Sequence, residues 1–469
     1  MCGRSRYFYY LRKRERPLKL GSTITYFKEA HMSFSSNVKN TLISEVVAMA
    51  STPESYCKNP EKDFTRTRKM TLRDVILLPI LKESGTMRQE LLKYFDYNPS
   101  TLTNSAYCQQ RKKLKTDVHK QLFFNFNSHY NPVAYEKHYR LLAADGSTFT
   151  YTKNPDDVDS YYPPDGKSSK GFNEIHVNAL FDLESQRYVD AVIQPIRKKN
   201  EFKALTELID NYKLNSSDSL KPIFIADRGF CSYNVFAHAI ENDAYFLIRD
   251  KDINISRLTG YDSLPESFDI DKTIILTKTH SKKAYRFPDK ADLYKNITKS
   301  VSFDYITDEN PDYEISLRVL RFKVADGSYE NIVTNLPRNE FTSLKIKELY
   351  NKRWGIETSF CKLKHALGAE YFHSKEQEYI TQEIWAKLIL FNYCSIITLH
   401  VVIEDKKRKF KYQVNYTVAY NACLHFLKQN GAGGCDLESL IGQNILPIRP
   451  NRNYARQHRF QIPVSFTYR

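Results

Sequence analysis

The apolar positions of this chain change period several times. Leu72, Val75, Ile76, Leu77 and Ile80 recur at helical spacing, and Leu91, Leu92 and Phe95 open a second such segment. Asn98-Pro99-Ser100 breaks the chain before a third, 105–114, which ends in Gln109-Gln110-Arg111-Lys112-Lys113. From Tyr139 the period shortens, so 139–144, 176–181 and 188–194 are expected to be strands. Asn200 caps a predicted helix over 201–212, and the continuously apolar 222–226 fits a strand buried on both faces. A helix over 233–240 and a strand over 245–248 follow, which makes a mixed α/β layer. Residues 273–277, 301–306 and 315–324 read as strands, with a hairpin signal at Ala325-Asp326-Gly327. A long helix is expected over 343–367, and more helices through 378–428.

The expected organisation is therefore a basic segment over 1–70 with no assignment and a helical, DNA-binding region over 71–137. The first part of an α/β core spans 138–249, a β-strand insertion 250–330 and the second part of the core 331–375. A helical region with a basic tail, including Arg449, Arg452, Arg456, Arg459 and Arg469, closes the chain over 376–469. Three short helices with a basic, amide-rich last member suit a helix-turn-helix DNA reader, and equally an ordinary bundle with a solvated face.

Composition narrows the partners. The 469 residues carry 70 Lys and Arg against 54 Asp and Glu, a net +16, which makes polyanions the first partners to consider. The 33 Tyr and 28 Phe supply enough apolar material to exclude a disordered chain. The eight cysteines form no C-x-x-C pair, so scattered core thiols in a reducing compartment are expected. Charges interrupt 4–19, where a secretory signal would need an apolar run, and Met32 is an alternative start to Met1. The longest apolar stretch, between Lys387 and Glu404, is short for a membrane span and reads as a core helix. A soluble, cytoplasmic protein is expected.

Two aspartates end apolar runs: Asp145 after Leu141-Leu142-Ala143-Ala144, and Asp227 after Ile223-Phe224-Ile225-Ala226. Strand ends are where open α/β layers bind ligands, although each Asp alone also fits a turn. On the long helix, Tyr350, Arg353, Glu357 and Lys364 fall within a stripe roughly 60° wide, beside an apolar stripe of Leu349, Ile356, Phe360, Leu363 and Leu367. The alternative is a solvated face, but Arg353 before Glu357 is the less favourable order for helix support. Three carboxylates of this kind suit oxygen-ligated divalent cations such as Mg²⁺, and a pair of ions suits phosphodiester cleavage. Arg353, Lys364 and Tyr350 would then hold phosphates.

The spacing Tyr350-x2-Arg353-x3-Glu357-x6-Lys364 resembles the signature of DDE transposases of bacterial insertion sequences, in the group named for that Tyr-Arg-Glu-Lys motif. The strings Asp145-Gly146-Ser147-Thr148 and Asp227-Arg228-Gly229-Phe230 are similar to that family's, and the β-strand insertion lies in the same order. The resemblance covers about 71–375 well. It implies a ribonuclease H-like core with Asp145, Asp227 and Glu357 as catalytic metal ligands for two Mg²⁺, replaceable by Mn²⁺. It also implies terminal inverted repeats and target DNA as partners, end cleavage followed by strand transfer, a synaptic homodimer, and a base-stacking aromatic from the insertion, for which Tyr329 and Phe322 are candidates by position. A ribonuclease H-like nuclease without strand transfer, and a silent DNA-binding descendant, are the alternatives.

Other features have plain readings. Asp156, Asp157 and Asp159 fit a solvated hairpin loop, Arg197-Lys198-Lys199 a charged loop or phosphate contact, and His365 and His373 the end of a helix.

Overall fold

The computed structural model describes residues 33–164, 171–216, 219–279, 292–298, 301–325, 327–403, 408–429 and 436–449. The tail arginines beyond Arg449, the loop residue Asp326 and Cys2 lie outside them. The described residues begin with α1 (Phe34–Ala50), the single turn α2 (Pro53–Tyr56), α3 (Leu72–Leu81), α4 (Met87–Tyr94), α5 (Asn104–Arg111) and α6 (Val118–Ser128). Capping boxes start α3 and α4, with Thr71 facing Asp74 and Thr86 facing Gln89. Helix α1 falls in the basic segment 1–70 that had no assignment. Its buried Val38, Leu42, Val46 and Met49 stand at helical spacing among polar neighbours, too sparse a stripe to stand out from the charges around it.

The reader-helix expectation fails for two of its named residues. In α5, Gln110 and Arg111 are buried. Arg111 donates to Glu383 (2.7 Å), to Gln382 (3.0 Å) and to the Tyr379 carbonyl (2.6 Å), because an unpaired guanidinium inside the fold would be far more costly.

The sheet follows: β1 (Tyr139–Tyr151), β2 (Tyr161–Tyr162), β3 (Phe172–Asp182), β4 (Arg187–Pro195), α7 (Glu201–Asn215), β5 (Lys221–Ala226), α8 (Tyr233–Glu241), β6 (Tyr245–Asp250), α9 (Asp252–Thr259), β7 (Phe268–Thr277), β8 (Tyr294–Asn296), β9 (Asp312–Ala325) and β10 (Ser328–Thr334). Strand β3 pairs antiparallel with β4 and with β1, whereas β5 runs parallel to β1 and β6 parallel to β5. This is the mixed α/β sheet that was expected. Its two faces bury separate cores: Leu141, Ala143, Ile223 and Ile225 on one, Leu142, Ala144, Phe224 and Ala226 on the other.

The insertion differs from a free-standing β module. It opens with helix α9, and its strands continue the central sheet in the order β6–β10–β9–β7–β8. The strand expected over 301–306 is a loop. Its Phe303 and Ile306 are buried, and the Asp304 N–H donates to the Asn234 side chain (3.0 Å), so loop and core satisfy the backbone without a ladder.

The expected single helix over 343–367 is three pieces: α10 (Ser343–Lys352), α11 (Trp354–Cys361) and a π-helical turn (Lys362–Ala366). Helix α12 (Gln377–His400), β11 (Lys411–Val414), α13 (Tyr416–Lys428), α14 (Leu437–Gln443) and β12 (Ile445–Ile448) complete the described chain. Helix α12 is buried along most of its length, and no described helix is long and apolar enough to cross a membrane.

Candidate active site

The pleat of the sheet decides where the two aspartates point. Residues 141 and 143 of β1, and 223 and 225 of β5, share one core, so Asp145 and Asp227 continue the same face by period two. Ala144 and Ala226 are register partners on parallel strands, and each aspartate is the next residue. The same face receives Ile356 and Phe360 of α11, which brings Glu357 to that side. One expectation needs correcting. Asp145 does not end its strand, since β1 stays paired with the long β3 as far as Tyr151; the rim is made by β5, which stops at Ala226.

The three acids differ in surroundings. Burial pushes the Asp145 carboxyl up to about 6; the Gly146 N–H (2.8 Å) and the Arg353 charge oppose this, while Glu357 and Asp227 add to it. Asp227 accepts a bond from the Tyr350 hydroxyl (3.3 Å). Glu357 pairs with Arg353 (2.9 Å), whose guanidinium is buried with Nε left unpartnered. Among the described residues, no three His, Cys, Asp or Glu side chains stand close enough to form a metal cage. The donors nevertheless fit a hard divalent cation: among the described residues, Asp145 is a mostly buried carboxylate with no side-chain cation bonded to it, and Asp227 is met only by a phenol.

The stripe of four is only partly brought together. Tyr350, Arg353 and Glu357 converge on the aspartates. Lys364 donates instead to the Thr148 carbonyl (2.7 Å) and lies over the Phe149 ring (4.7 Å). The cause is the helix itself. Arg353 and Ile356 donate to carbonyls three residues back, which tightens the turn, and the Leu367 N–H reaches back five residues to Lys362 (3.2 Å), which widens it. At the junction Gly355 lies against Leu183, whose Cδ2 would be 2.8 Å from an added Cβ, so a larger residue there would have to displace the Leu183 side chain.

Two residues that sequence reasoning missed back the site from the opposite face. His176 sits opposite Thr148 in the β1–β3 ladder, with its Nδ1 3.1 Å from the Thr148 hydroxyl. Its Nε2 would be 2.4 Å from a Cβ on Gly146, which explains the glycine after Asp145. Glu201, at the start of α7, faces that Nε2 at 3.2 Å without hydrogen-bond alignment, pairs with Lys199 (2.9 Å), and brings its other oxygen to 3.9 Å from where Gly229 would carry a Cβ. The pair thus touches both aspartate strings. The signal was Gly146 beside Asp145, where the His176 ring leaves no room for a Cβ.

The remaining named residues have ordinary partners. Tyr329 stacks under Arg321 (4.3 Å) and bonds Glu266, and Phe322 packs beneath Lys347. Asp157 accepts from Tyr151, Asp159 pairs with Lys198, and Arg197 donates to the Tyr161 carbonyl. His365 is exposed near Glu370, and His373 bonds the Gly85 carbonyl and Lys82.

A protein-family model described as a transposase DDE domain matches residues 136–393, more than half of the chain. Among solved structures, the cryo-EM piggyBac transposase synaptic complex with hairpin DNA is similar with a TM-score of 0.45 and 11% identity, covering 90% of this chain and 87% of that one. No curated protein matches.

Proposed function

The chain belongs to the transposase DDE domain family, and on that premise we propose that it is an insertion-sequence transposase of the Tyr-Arg-Glu-Lys group. In this reading it binds terminal repeats as a homodimer, cleaves at the element ends and transfers the strands to target DNA. The observation that carries the reading is the Ala144–Ala226 register, which sets Asp145 and Asp227 side by side on the face that Glu357 joins. These three carboxylates would hold Mg²⁺ or Mn²⁺, two ions to a site. When bound, the ions would lower the pKa of the attacking hydroxyl and offset charge on the phosphate.

The protein's own groups have distinct tasks. Tyr350 fixes the rotamer of Asp227 by its hydroxyl bond. Arg353 neutralises Glu357 until DNA arrives, and its unpartnered Nε is a donor for a phosphate oxygen. Lys364 holds the β1 backbone beyond Asp145 through Thr148, and is a second phosphate cation if it releases that carbonyl.

The test is Mg²⁺-dependent cleavage of a duplex carrying the element's flanking terminal repeat, wild type beside Glu357→Gln. Nicks at the repeat boundary that vanish in the variant, with binding of the repeat retained, are expected. Tight binding without nicks in Mg²⁺ or Mn²⁺ would overturn the enzymatic reading, and nicks without joined products would leave a nuclease.

A further inference from the structure

Residues 57–70 form an arch that is tied down at both ends and open between. Cys57 bridges to Leu114, the Lys58 N–H donates to the Lys113 carbonyl (2.8 Å), and Met70 is buried at the far end. Buried Asp63 accepts from the Asn59 N–H (3.0 Å) and fixes the crown. Beyond it, Thr65-Arg66-Thr67-Arg68-Lys69 is exposed at every position. Phe64 holds a φ of +57°, a conformation unfavourable for a bulky residue, and its ring lies 5.1 Å from the Lys113 ammonium.

Lys62, Arg66, Arg68 and Lys113 line one concavity of about 380 Å³, with Glu61 as its single acid. Lys113 is already engaged by Gln110 (3.0 Å) and by Asp63 (3.9 Å). Neighbouring cations are likewise engaged, Lys58 by Glu378 and Lys69 by the Ser100 carbonyl. The side chains of Lys62, Arg66 and Arg68 have no hydrogen bond or ion pair among the described residues. Cations converging on a concave surface repel one another, and a polyanion that fills it relieves the repulsion while releasing its own counterions.

We propose that this arch grips the phosphate backbone of duplex DNA through Arg66 and Arg68, and that the N-terminal helical region meets DNA here and not through the buried end of α5. The inference rests on the DNA-processing reading and adds the surface to it. Both arginines sit on irregular backbone with nothing to present to base edges in a fixed register, so the arch supplies position and affinity, not sequence choice.

The experiment is fluorescence anisotropy of the full chain over a KCl series, on a terminal-repeat duplex and on a scrambled duplex of equal length. Wild type is compared with Arg66→Ala/Arg68→Ala and with Lys137→Ala/Lys213→Ala, a charge-matched control at two exposed lysines of the core. Each lost phosphate contact removes roughly 0.9 from the slope of log K against log salt, so the arch variant should lose roughly 1.8. Its affinity should fall by the same factor on both duplexes while the control keeps the wild-type slope. An unchanged slope in the arch variant would overturn the proposal, as would an equal loss in the control. Wild type that binds neither duplex would instead remove the DNA-processing reading. Thermal unfolding unchanged in the arch variant separates lost contacts from lost fold.

Discussion

Glu383 and Asp145 are both withdrawn from water, and the protein treats them in opposite ways. Glu383 of α12 lies wholly inside the helical half, between Lys82, with which it pairs, and Arg111 at 2.7 Å. Its neighbours are satisfied in turn: Lys82 also meets His373 (2.9 Å), and Lys387 donates to the Lys82 carbonyl (2.7 Å). Lys82, Arg111 and the other charges around Glu383 hold its carboxyl far below the usual range although burial opposes them. Asp145 receives one backbone N–H and stays well above the usual range. A charge neutralised by fixed side chains is part of the frame. A buried charge left short of cations is incomplete until something positive arrives, and that incompleteness separates a site from a strut.

The contrast is broken most severely at Glu383. Glu383→Ala strands Lys82 and Arg111 in the interior and should cost about 3–5 kcal/mol of stability, read by urea denaturation. Asp145→Asn should leave the midpoint level or higher, because it removes an unneutralised carboxylate; a loss equal to that of Glu383→Ala would erase the distinction.

Asp190 sharpens it. Burial lifts this carboxyl to about 6, offset only in part by Lys120, the Ala191 N–H and Asn211. Its folded-state value is above the unfolded value near ~4, so the folded chain binds more protons in that interval. The associated stability is full below about pH 4 and is lost as the pH rises through about 6. Asp190→Asn should flatten this dependence by about 2 kcal/mol, measured as unfolding free energy at pH 4.5 and pH 7. An identical pH profile in the variant would show that the carboxyl is solvated.

A further effect is expected behind the site. Gly146→Ala drives a methyl into the His176 ring and should cost about 1–3 kcal/mol while displacing Asp145. Cleavage should fall with repeat binding intact, and His176→Ala in the same chain should restore part of it by opening space. Cleavage by Gly146→Ala at the wild-type rate would show that the His176 contact does not set the Asp145 position.

The elements that were legible are those whose period is strict and whose burial is two-sided. The runs 141–144 and 222–226 read as strands because nothing polar interrupts them, and they became β1 and β5. Helix α7 followed from Asn200, whose side chain accepts from the Lys203 N–H. What stayed hidden depends on partners distant in the chain. The continuation of β1 past Asp145 is set by β3, and the burial of Arg111 by α12. Spacing put Tyr350, Arg353, Glu357 and Lys364 on one stripe, and no spacing rule announces the π turn that redirects Lys364 to Thr148.

The sheet's connectivity also sets an order of assembly. Asp227 and Glu357 are 130 positions apart (357 − 227), and the segment between them leaves the core, builds β7 to β9 and re-enters through β10, which pairs with β6. During synthesis the two aspartates emerge together with their strands, long before the helix that carries the third acid. The nascent chain therefore holds two acids of the candidate site and lacks the third until the outlying strands have been made. A polypeptide that ends anywhere in 250–340 lacks Glu357, so the route of the chain postpones completion of the candidate site until the fold is nearly whole.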